Sequence, residues 1–104
     1  MHTYIIEHLE PEVYPWVYIE YAHISSIVGK KHVWFTNIKK AKDRKLLRKF
    51  GKVFNTSVTS MRLKKACILD PAAKNTLEPD DAIKYRFFIF GGILGAVSYT
   101  HLTL

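Results

Sequence analysis

The chain has 104 residues, 48% hydrophobic and 13% aromatic, with a formal net charge of +7 and one cysteine. That is a single small domain's worth of chain with ample apolar material for a core, which excludes an intrinsically disordered segment. No apolar run approaches the roughly 20 residues of a membrane span, no secretory leader pattern opens the chain, and a lone Cys67 excludes an internal disulfide framework, so a cytoplasmic protein is expected.

Tyr4-Ile5-Ile6 followed by Glu7-His8 reads as a short strand ending in polar groups, closed by Pro11. Val13, Val17, Tyr21, Ile24 and Val28 recur every three or four residues, which predicts a helix that starts near Pro15 and is ended by Gly29. Lys31 to Thr36 contains a second strand, His32-Val33-Trp34-Phe35. A basic helix follows from about Lys40, with Leu46, Leu47 and Phe50 turned inward and Gly51 after it. Val53-Phe54 suggests a short third strand, and Asn55 to Ser60 is a polar run that reads as a loop or a helix start. Ala66-Cys67-Ile68-Leu69 is an apolar strand closed by Asp70-Pro71, with Cys67 as a small core residue. Pro79 to Ile83 reads as a short helix with proline and acids at its positive end. Phe87-Phe88-Ile89-Phe90 is then a strand covered on both faces, running into Gly91-Gly92-Ile93-Leu94-Gly95. Strands separated by helical segments predict a parallel α/β sheet.

Three features bear on function. Glycines directly after a buried strand let the backbone approach a ligand at the carboxyl end of the sheet, or else simply make a tight turn; G-G-x-x-G is neither a P-loop nor a dinucleotide fingerprint. From Lys30 to Lys65 ten lysines and three arginines face one acid, Asp43, giving that segment +12 while the rest of the chain carries −5. Such asymmetry suits an anionic partner such as RNA or a ribosomal surface, through Lys39, Lys40, Lys42, Arg44, Lys45, Arg48 and Lys49, or is the solvated face of a helix. The five histidines lack the paired spacing of a zinc site, and no metal is assigned.

Tyr4-Ile5-Ile6-Glu7-His8-Leu9-Glu10, Trp16-Val17 with Glu20-Tyr21, Cys67-Ile68-Leu69-Asp70-Pro71 and Phe90-Gly91-Gly92-Ile93-Leu94-Gly95 together resemble, in order, the SPOUT-class methyltransferases related to the eukaryotic protein-arginine methyltransferase of that fold. The resemblance covers residues 1–95. It implies a Rossmann-like α/β domain with a C-terminal trefoil knot, S-adenosyl-L-methionine as cofactor, and a homodimer or monomer as the full-length form. Phe90, Gly91, Gly92, Ile93, Leu94 and Gly95 then correspond to the first cofactor loop, with Leu69, Asp70 and Pro71 at the end of a neighbouring strand. The implied acceptor is an arginine of a ribosomal protein, or else RNA. An arginine acceptor needs acids that hold a guanidinium. Glu7 and Asp70 are the candidates, although Glu7 could instead cap the following helix and Asp70 could be a turn residue. His8 is as readily a satisfied structural group.

Residues 96–104 depart from the family pattern, so the chain is expected to stop before the knot is complete and to be inactive alone, with its tail either foreign to the gene or an added edge strand. The competing reading is a small basic RNA-binding or ribosome-associated module without catalysis. It predicts salt-sensitive RNA binding that does not depend on the glycine loop.

Overall fold

A computed structural model describes residues 2–69, 75–76, 84–91 and 101–103. Among the described residues seven strands form one sheet in the order β3-β2-β1-β6-β4-β7-β5. They are β1 (Thr3–Glu7), β2 (Val33–Thr36), β3 (Lys52–Val53), β4 (Ala66–Leu69), β5 (Asn75–Thr76), β6 (Phe87–Gly91) and β7 (His101–Thr103). The five from β3 to β4 are mutually parallel, and β7 runs antiparallel to both β4 and β5. The parallel sheet expected from alternating strands and helices is therefore present.

Two helices, α1 (Pro15–Val28) and α2 (Ala41–Leu47), carry the chain from β1 to β2 and from β2 to β3. Both connections move across the sheet in the same direction, so both helices lie on one face. That face buries Ile6, Val33 and Phe35 against Val17 and Tyr21 of α1, Leu47 of α2 and Ile38 before it, with Val13, Ile24 and Val28 packed partly buried at the margin. The predicted stripe of α1 is the face that packs. Pro15 opens the helix, where its missing N–H costs nothing. Gly29 closes it at φ 95°, donating its N–H to Ser25 O at 2.8 Å. A second cluster, Cys67, Leu69 and Phe88 with Tyr4, Tyr85 and Phe90, continues this layer over β4 and β6.

Several boundaries differ from the sequence expectation. A 3-10 turn at Lys30–His32 precedes β2, which begins at Val33. The basic helix stops at Leu47, three residues before Phe50, and Leu46 is 46% exposed rather than inward, because it sits about 100° around the helix from Leu47, which takes the buried position. The early stop lets Gly51 approach β2: a Cβ there would sit 2.5 Å from Val33 O and 2.7 Å from Val33 Cγ1. The third strand is Lys52–Val53, with Phe54 N still donating to Phe35 O at 2.8 Å. The polar run contains a 3-10 turn, Val58–Ser60, whose N-terminal Ser57 accepts from Thr59 N. The helix expected at 79–83 lies outside the described residues.

Candidate active site

β1 occupies the middle of the parallel sheet, and the chain leaves its carboxyl end toward β2 on one side. It leaves β6, the other neighbour of β1, toward β7 on the far side of β4. Connections that diverge from adjacent parallel strands open a crevice at their carboxyl ends, the usual ligand position in open α/β sheets. Register places Glu7 opposite Gly91 on one side and opposite Thr36 on the other, with Leu69 opposite Phe90 one residue back. Four residues singled out from the sequence, Glu7, Leu69, Phe90 and Gly91, thus meet at one edge. Asp70, Pro71, Gly92, Ile93, Leu94 and Gly95 lie outside the described residues.

Glu7 is fixed from three directions. Thr36 Oγ1 donates to Oε1 at 2.6 Å, Val58 N donates to Oε1 at 2.9 Å, and the Ser57 hydroxyl donates to Oε2. It does not cap α1, whose N-cap is Tyr14 without a side-chain bond. A carboxylate has about four lone-pair positions, so one remains on Oε2 for a further donor. Gly91 is exposed, and among the described residues the nearest atom to a Cβ built on it would be Leu9 Cδ1 at 4.0 Å. The strand end beside Glu7 therefore offers open backbone, as a closely approaching ligand requires.

His8, next in the chain, is a structural residue. It is 2% exposed, with Nδ1 bonded to the Tyr21 hydroxyl at 2.8 Å and Nε2 to Glu12 O at 2.9 Å. Since the carbonyl can only accept, Nε2 carries the proton and Tyr21 donates to Nδ1. Asn37, at φ 62°, donates its side-chain amide to His8 O at 2.6 Å and its N–H to Thr56 O, which anchors the loop bearing Ser57. Asp43, the one acid of the basic segment, is 2% exposed and accepts from Val13 N at 3.0 Å.

The basic candidates separate into two groups. Lys40 pairs with Glu12 at 2.7 Å, and Arg44 donates to the carbonyls of Ile38 and Lys39. Hydrogen bonding to Lys40, followed by its charge, holds the Glu12 carboxyl below the usual range, and the same contacts raise Lys40. Lys39, Lys42, Lys45, Arg48 and Lys49 are exposed, and no carboxylate among the described residues pairs with Lys42, Lys45 or Arg48. At the opposite, amino edge, His2, Tyr4, Ile27, Val28 and His32 line a shallow depression of about 380 Å³. It lies at the wrong end of the strands to share chemistry with Glu7 and Gly91.

Sequence reasoning had no means of finding Thr36, Ser57 and Val58 as partners of Glu7. Their only signals were a threonine closing a strand and a serine in a polar run.

The family model for SFM1-like protein arginine N-methyltransferases matches residues 3–103. The protein arginine N-methyltransferase SFM1 of Saccharomyces cerevisiae is 36% identical over 107 residues, 88% of this chain and 50% of the relative. The crystal structure of the yeast arginine methyltransferase SFM1 complexed with SAM superposes with a TM-score of 0.77 at 33% identity, covering 90% of this chain and 49% of that one. A Trm10 structure from Thermococcus kodakaraensis shares the fold, with a TM-score of 0.59 at 15% identity over 90% of this chain and 62% of that one. The chain thus spans about half the length of the yeast relative it matches.

Proposed function

This chain belongs to the SFM1-like family of protein arginine N-methyltransferases, and from that premise we propose that the carboxyl edge of β4, β6 and β1 is part of a site that methylates an arginine guanidinium using S-adenosylmethionine. The observation that carries this reading is the register of Glu7 with Gly91, a fixed carboxylate beside an open glycine backbone where the sheet's connections diverge.

The open backbone at Gly91 fits a cofactor that must approach closely. Leu69, Asp70, Pro71 and Phe90 to Gly95 are the residues we assign to holding it. When bound, the cofactor supplies a methyl group activated by its sulfonium. The protein's task is then positioning more than covalent help. Glu7, with Oε1 committed to Thr36 and Val58, can receive a guanidinium N–H on Oε2, and its three donors fix the angle at which an arginine would be presented. Its role is to orient the acceptor. We favour an arginine of a ribosomal protein over RNA as acceptor, and a cytoplasmic site of action; the strongly basic segment supports work in RNA-rich surroundings.

Calorimetric titration of S-adenosylmethionine into the full-length protein tests the cofactor assignment. Gly91→Val should abolish binding while the melting temperature holds, because no atom of the described residues comes closer than 4.0 Å to a Cβ at this position. Unchanged affinity would refute it. Incubation with methyl-labelled cofactor, using intact ribosomes, stripped ribosomal proteins and naked RNA in turn, tests the acceptor. Label in methylarginine is expected, and label confined to nucleotides would overturn the protein acceptor.

A further inference from the structure

We propose that the exposed side of α2 and the turn after it form a docking surface for the phosphate backbone of duplex RNA, independent of the methyl-transfer reading. Lys42, Lys45 and Lys49 follow one another at three- and four-residue spacing, with Arg48 and Lys52 flanking them, all exposed. The segment's single acid is buried and committed to Val13 N, so no carboxylate of the segment reaches this surface. At its upper end Lys39 donates to Asn55 O at 3.4 Å, two residues before the Ser57 that holds Glu7. The cationic track therefore begins beside the candidate active site.

Its chemistry selects among anionic partners. Lysines act as point charges along a track and do not demand the bidentate geometry of single carboxylates, which suits a phosphate backbone better than an acidic peptide. Single strands need open aromatic faces for stacking. Here Lys52 Nζ lies over the Trp34 and Phe54 rings at 5.4 and 5.3 Å, and Lys49 Nζ over Tyr18 and Phe50 at 5.4 and 5.5 Å. The rings are capped by ammonium groups, which leaves charge and not stacking as the means of contact. α2 has seven residues and lies against the core through Asp43 and Leu47. It is too short and too embedded to enter a DNA major groove, whereas an A-form duplex presents its backbone and 2′-hydroxyls across a wide, shallow minor groove.

The test is fluorescence anisotropy with a labelled RNA hairpin over a salt series, using the full-length protein and the triple variant Lys42→Gln, Lys45→Gln, Arg48→Gln. These side chains are exposed, so circular dichroism and melting should match the parent. The parent should bind with a steep salt dependence. The variant should bind about tenfold or more weakly, with a log–log salt slope smaller by about 2 to 3. Gly91→Val should bind the hairpin like the parent, which separates this surface from the cofactor site. Equal hairpin affinity in parent and triple variant would overturn the proposal. So would a DNA duplex of the same sequence, a single strand or polyglutamate binding as tightly as the hairpin.

Discussion

The face of the sheet under α1 and α2 buries Ile6, Val33 and Phe35 in a continuous apolar layer, whereas the opposite face is crossed between β3 and β4 by an irregular segment attached through the Glu7 carboxylate. The first face is stabilised by area removed from water and by close packing. The second also buries Ile5 and Ile89, but the irregular segment is tied to it at the strand ends by a few directional bonds, located where the chemistry is proposed to occur. A residue that orients an acceptor is therefore also a fastener of the fold, and changes at Glu7 should disturb binding and local stability together.

The sharpest way to break that contrast begins with Phe35→Ala. Phe35 is fully buried, and its loss should cost about 3–5 kcal/mol in chemical denaturation. Next comes Glu7→Gln, which turns an amide N–H₂ toward one of three donors and should cost about 1–3 kcal/mol. Amide exchange at Val58 should accelerate while exchange within α1 stays unchanged. A global loss as large as that of Phe35→Ala would erase the distinction between the faces.

Tyr21→Phe removes the hydroxyl that His8 accepts from and should cost about 1 kcal/mol. Burial first, then Glu20 and Glu10, push the Tyr21 phenol above its ordinary value of 10.0. The folded state therefore holds the proton more tightly than the unfolded chain does. This contribution is complete below about pH 10 and declines as pH rises from there toward the folded value. Parent stability should accordingly hold up to about pH 10 and fall toward that of Tyr21→Phe only above it, read from urea midpoints. The smallest effect belongs to Glu12→Gln. Both it and its partner Lys40 are open to solvent, which screens the pair, and the melting temperature should not move.

Local pattern carried much of the fold. Tyr4 to Glu7, Ala66 to Leu69 and Phe87 to Phe90 were legible as short, bounded apolar runs, and α1 by apolar residues recurring every three or four positions. The basic helix was legible in place but not in length. Its end is set by the contact of Gly51 with Val33, eighteen positions earlier in the chain, which no local pattern records. The candidate site was half legible in the same sense. Glu7 and Gly91 could be picked as strand ends, but their adjacency depends on strand order. Thr36 and Ser57, 29 and 50 residues from Glu7, reach its carboxylate only once β2 and the β3-to-β4 crossing are in place.

The pairing of β1 with β6 joins residues more than eighty positions apart, while β1 and β2 meet across about thirty. Closing the longer loop carries an entropy cost of about 4 kcal/mol before any native contact compensates it. The β1–β2–α1 layer can assemble early from nearer contacts, and the Glu7–Gly91 edge must wait for the long closure. The proposed site is thus a late product of folding: a partly folded form can carry the core of the helix-covered face and still possess no crevice at all.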